Sequence, residues 1–184
     1  MIVALALLLS AAFGAGDQYL GSLPGSGHFW AAGWSTDISL LSAPWLVLPF
    51  VVGATQTVPR RAALLGLACT YAALLGYGFM TLSPIEHAHV TAATVRGFLI
   101  SERGVLIGGV VTGPLFGWFG QQWRTRRAIT GALVTAAALC LEPFVRRATI
   151  NPIGQRDVWL AEVAAGLALA AAVLVARFAR QSQA

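Results

Sequence analysis

The sequence predicts an all-α protein, a polytopic bundle of about six transmembrane helices that forms one integral membrane domain over residues 1–184. Composition is the first reason: 57% of the 184 residues are hydrophobic and 10% are charged, where a soluble domain carries about 25% charged residues. The mean hydropathy is +0.73, an apolar excess that lipid hides and a single soluble core does not. The second reason is the sorting of charge between alternate connections. All twelve basic residues are arginine, as GC-rich codon usage produces. A pI near 10.2 would suggest nucleic acid in a soluble protein. Here the arginines end apolar segments, so lipid is the expected partner and nucleic acid is not.

Six apolar runs approach the length that crosses about 30 Å of hydrocarbon: residues 1–16, 38–57, 62–83, 104–120, 128–145 and 158–178. The first is short. It also reads as a cleaved signal peptide, but lacks a basic n-region and a clean small-x-small site before Asp17. A start upstream of Met1 is a third reading. The fourth run lengthens backwards, because residues 91–103 have helical composition. Cys69 and Cys140 fall at depths differing by about 10 Å, so two unpaired thiols are expected.

Arginine placement orients the spans. Arg60 and Arg61, then Arg124, Arg126 and Arg127, and finally Arg177 and Arg180 lie in segments free of acids, which are assigned to the cytoplasm. Both termini are then inside a multi-pass protein of the cell membrane. Every Asp, Glu and His groups with the opposite segments, alongside Arg96, Arg103, Arg146, Arg147 and Arg156. Tryptophans 30, 34, 45, 118, 123 and 159 fall near the expected interfaces.

Packing between such helices depends on small residues, because lipid tails are as apolar as leucine. Gly109, Gly113 and Gly117 recur every fourth residue and form a ridge, with Ala62 and Gly66, and Ala72 and Gly76, as further small surfaces. Pro114 is expected to bend its helix, as are Pro44 and Pro143 near outer ends. Ser83-Pro84-Ile85-Glu86 reads as a capped helix start, so a short outer helix is expected from Pro84.

Three carboxylates sit unusually deep. Glu142 and Glu162 each lie about 5 Å inside a helix end. Glu102 lies seven residues before Gly109, above the ridge in a continuous helix. An acid at mid-bilayer costs about 2.5–3.5 kcal/mol unless paired, and less near the interface. Arg96, Arg103, Arg146 and Arg147 are the available partners, and Arg103 with Glu142 or Glu162 is the favoured bidentate pair. The same groups serve either as an ion-pair network locking helices or as the lining of a pocket for a small polar solute. His28, His87 and His89 with Glu86 lack a recognised metal spacing, so no metal and no cofactor is expected. No nucleophile elbow, phosphate loop, zincin or dinucleotide pattern occurs, and no catalytic residue is assigned.

Ala43-Pro44-Trp45, Gly76-Tyr77, Gly113-Pro114-Leu115-Phe116-Gly117 with the following basic turn, and the acids Glu142 and Glu162 resemble an uncharacterised family of small six-helix integral membrane proteins common in GC-rich Gram-positive bacteria. That resemblance implies the fold and carries no activity. A looser architectural likeness is to the substrate-binding subunits of energy-coupling importers, which implies an outward pocket and docking through a first-helix motif such as Ala11 and Ala15.

The sequence therefore supports a non-enzymatic component that binds a small polar solute at its outer face, associated with transport and needing separate energising subunits. A structural, envelope-associated subunit that docks a partner membrane protein is the alternative. An intramembrane enzyme acting on lipid is the third reading, with no nucleophile–base pair to support it.

Overall fold

The computed structural model describes residues 2–23, 33–86, 88–126, 128–148 and 154–181, with side chains from residue 3 to residue 178 of these segments. The described chain is entirely helical: α1 (Ile2–Ser22), α2 (Trp34–Ser39), α3 (Ala43–Ala54), α4 (Pro59–Thr81), α5 (Ala92–Ser101), α6 (Arg103–Thr125), α7 (Thr130–Ala148) and α8 (Arg156–Gln181). His28, Trp30, His87 and Arg127 lie outside the described residues.

Large apolar side chains project outward from the long helices, among them Leu8 on α1, Phe79 on α4, Ile107 on α6 and Phe178 on α8. Ser10, Thr70, Thr135, Gln121, Gln122 and Glu162 are buried instead. That inversion suits a lipid surroundings, where outward apolar groups cost nothing and polar groups turn inward.

Three helices, Val3–Ser22, Pro59–Thr81 and Arg156–Phe178, are long and apolar enough to cross a membrane, and a fourth span results if the bent pair Ala92–Ser101 and Arg103–Thr125 acts as one. The expected six spans are not confirmed, and two departures explain the difference. The second run breaks at Leu40–Ser42, leaving α3 with 12 residues, about 18 Å of rise. Pro44 lies in the first turn of α3, where it starts the helix and does not bend it. The fifth run is a 19-residue helix, but Glu142, Arg146 and Arg147 occupy its last turns.

The short outer helix expected from Pro84 starts there, as the three-residue 3-10 helix Pro84–Glu86. The Ser83 hydroxyl turns towards Met80 sulfur, so it does not cap. The next helix starts at Ala92, where Thr91 and Thr94 form a reciprocal capping box. The chain then bends by 60° between Ala92–Ser101 and Arg103–Thr125.

The glycine ridge works as expected. A Cβ on Gly113 would meet Thr70 Oγ1 at 2.8 Å and Leu67 Cα at 3.0 Å, and one on Gly117 would strike the carbonyl of Ala62. The Ala62/Gly66 surface of α4 is thus the ridge's partner. On the other side of α6, Gly53 of α3 abuts Gly117, and Gly120 abuts Phe50. Helix α1 lies on α4, with Gly14 against Ala73 and Gly76 against Ala11. Ala11 is therefore engaged within the chain. Helix α8 packs on α7 where Gly166 meets Ala136 and Cys140. Cys69 and Cys140 are both free thiols.

Candidate functional site: a carboxylate cavity and its clamp

The polar ends of α1, α3, α4 and α6 enclose a cavity of about 320 Å³, within the usual range of small-molecule sites. Leu40, Leu41, Leu46, Leu74 and Val105 give it an apolar lining, to which Gly108 and Gly109 add backbone. Thr70 and Thr112 mark its deep end. Thr70 lies two turns of α4 below Tyr77, about 10 Å deeper. Both threonine hydroxyls donate to carbonyls of their own helices, Gly66 and Gly108.

Two carboxylates, Asp17 and Glu102, stand in this wall with Trp45 and Tyr77. The Trp45 indole lies close to the Asp17 carboxylate. Trp45 also stacks edge-on against Phe13 at 5.4 Å and Tyr77 at 6.1 Å, while Tyr77 lies 6.3 Å from Phe98. The Tyr77 hydroxyl lies in the field of Glu102, Asp17 and Glu86. Glu102 sits at the α5–α6 break, where its carboxylate accepts from the Ser101 hydroxyl at 3.4 Å. Glu102 immediately precedes α6 and lines the cavity together with Gly109, the first glycine of the ridge, where the chain bends by 60° instead of running on as one helix.

Next to the cavity, Glu142 and Arg146 form an ion pair at 2.7 Å on successive turns of α7. The Glu142 carboxylate accepts the backbone N–H of Ser42 at 2.6 Å and of Ala43 at 2.5 Å. These are orphan donors at the start of α3, so Glu142 caps that helix from α7 at the positive end of its dipole. Arg146 donates to the Ser42 hydroxyl at 2.8 Å and to the Leu40 carbonyl. Leu40 and Ser42 also line the cavity. The pair is therefore a clamp on the cavity's lip.

The favoured pairing of Arg103 is corrected. Arg103 is exposed, and the ion pair formed among the described residues is that of Arg146 with Glu142. A partner one turn away on the same helix needs less ordering than one across the bundle. Arg96 is also exposed. Glu162 meets the same cluster from α8, its carboxyl lying against Glu142 and near Arg146. It is 4% exposed, yet neither of its oxygens finds a hydrogen-bond partner in acceptable geometry among the described residues. The polar layer is thus two groups: Glu142, Arg146 and Glu162 in the clamp, and Glu102 with Asp17 in the cavity. Asp17 carried a signal in the sequence, an acid interrupting an apolar first helix. Trp45 and Tyr77 sit inside motifs whose spacing suggested packing alone.

At the opposite end, Arg124 donates to the Thr55 carbonyl at 2.7 Å and the Ala54 carbonyl at 3.3 Å, closing the C-terminus of α3. Gln121 reaches the Thr57 carbonyl at 2.9 Å. Among the described residues, no three His, Cys, Asp or Glu side chains gather in a metal-holding group.

Lipid-length apolar helices around a polar-ended cavity define the class, an all-helical protein of the membrane-spanning type. The chain belongs to DUF6518, a family of unknown function, which it matches over residues 1–184. Neither the curated proteins nor the solved structures contain a significant match.

Proposed function

We propose that the chain is a multi-pass protein of the cell membrane that binds a small polar solute in the cavity at its outer end, without catalysing a reaction, as a component associated with transport. The single observation that carries this reading is the cavity itself. It is about 320 Å³ in volume, and its lining includes Asp17 and Glu102. Ionisable groups at membrane depth are costly, and those lining a space favour a solute path or site. The orientation rests on arginine placement: the start of α4 carries Arg60 and Arg61, and the end of α6 and the turn after it carry Arg124 and Arg126, so the cavity end lies outside.

The alternative, a structural subunit that docks a partner membrane protein, draws on the Glu142–Arg146 clamp, whose groups are engaged in holding helices together. Thermal unfolding of the detergent-solubilised protein against a panel of small metabolites separates the readings. A stabilising compound whose effect is lost in Glu102→Gln supports the cavity site. No stabilising compound, with a stoichiometric partner co-purifying, supports the alternative.

A further inference from the structure

We infer that the solute is an organic cation, an ammonium group carried on an apolar or aromatic body; this rests on the cavity reading and names its ligand class. Among the described residues, the cavity wall holds two carboxylates, Asp17 and Glu102, and no arginine, lysine or histidine. The protein as a whole carries twelve basic residues against seven acidic ones, so a wall with acids alone runs against its composition. Where this chain balances a deep acid it supplies a guanidinium, as Arg146 does for Glu142. Among the described lining residues it supplies none: Arg103, next in sequence to Glu102, is exposed and makes no ion pair among the described residues, and Arg146 at the lip is engaged by Glu142.

Glu86 adds to the negative field around Tyr77, and its Oε1 is buried with no hydrogen-bond partner among the described residues. An anionic solute entering this space would meet like charge, and a neutral one would leave the carboxylates uncompensated. A cation compensates them. Trp45 and Tyr77 line the cavity, aromatic rings attract ammonium groups, and Phe13 and Phe98 pack against these two. The leucines and Val105 then receive an apolar body, so recognition is divided between a charged head and a greasy tail.

The test uses the full chain in nanodiscs of zwitterionic lipid, which removes attraction of cations to the bilayer itself. Three probes of one shape are titrated calorimetrically: phenethylamine as cation, 2-phenylethanol as neutral body and phenylacetate as anion. The expected result is an affinity for phenethylamine at least about tenfold above that for 2-phenylethanol, with phenylacetate weakest. Asp17→Asn and Glu102→Gln should each bring the amine down to the level of the alcohol. Glu102 is half-exposed at a helix break, so Glu102→Gln carries the test if Asp17→Asn unfolds. Equal binding of all three, tighter binding of the alcohol or the anion, or unchanged amine binding in Glu102→Gln overturns the cation inference while leaving a solute cavity. Binding of none overturns the inference too, and the cavity reading falls with it if the cavity also proves closed to an aqueous thiol reagent.

Discussion

Replacing Glu142 by alanine removes the acceptor that joins α7 to the start of α3. The side chains of Arg146 and Glu142 are 17% and 10% exposed, so the pair is largely withdrawn from water. The substitution deletes one ion pair and two charge-assisted bonds from the Ser42 and Ala43 N–H groups. It leaves a half-buried guanidinium without its carboxylate. Breaking such a pair from one side costs about 3–5 kcal/mol. The lower end applies here, because Ser42 is exposed and its N–H regains water. For a chain of this length about 3 kcal/mol lowers Tm by about 6–12 °C. Arg146→Ala should cost less, since Glu142 keeps both backbone donors. Thermal unfolding of wild type, Glu142→Ala, Arg146→Ala and the double variant, followed by tryptophan fluorescence in detergent, measures the coupling, expected to exceed about 1 kcal/mol. A Glu142→Ala protein within about 1 °C of wild type, or strictly additive losses, refutes the clamp.

Further outcomes separate the parts of the fold. Glu162→Met is expected to leave Tm unchanged or raise it, because a buried carboxyl without hydrogen bonds is replaced by an apolar group of similar size; a loss comparable to that of Glu142→Ala contradicts this. Gly117→Leu should abolish the folded monomer in size-exclusion profiles, since even a Cβ strikes the Ala62 carbonyl. Gly104→Ala, with nothing within 4 Å of the added atom, should be neutral or slightly stabilising. Cys69 is buried and should resist maleimide until the protein is unfolded; labelling in the native protein would show that the α1–α4 interface is open.

The glycine ridge was legible because close helix approach in lipid tolerates few other residues, and a repeat of four keeps Gly109, Gly113 and Gly117 on one face. Span number was not legible from apolar runs alone. Residues 38–57 are apolar throughout most of their length, yet Pro44 in the first turn resets the helix and leaves 12 residues of α3. The Ser83-Pro84 signal started only a three-residue 3-10 helix, because the hydroxyl found Met80 sulfur and a second capping box lay eight residues on, at Thr91. Depth in the sequence placed Glu142 and Glu162 at a similar level, but it favoured Arg103 as the partner where the structure pairs Arg146 with Glu142. That pairing depended on the helix bend at Glu102, which turns α5 away and leaves Arg103 outside. Asp17, Trp45 and Tyr77 became a site only through the packing of α1 on α4, a long-range contact that no local pattern records.

The central claim is that a polar cavity reaches from the cell exterior into the helix bundle, and Thr112 at its deep end tests it most directly. Thr112→Cys, in a Cys69→Ala/Cys140→Ala background, is exposed to a membrane-impermeant thiol reagent on intact cells, with Leu115→Cys on the outward face as control. Labelling of residue 112 without permeabilisation, and none of residue 115, is the result expected. Labelling of residue 112 only after the cells are opened, or not at all, contradicts an outward cavity.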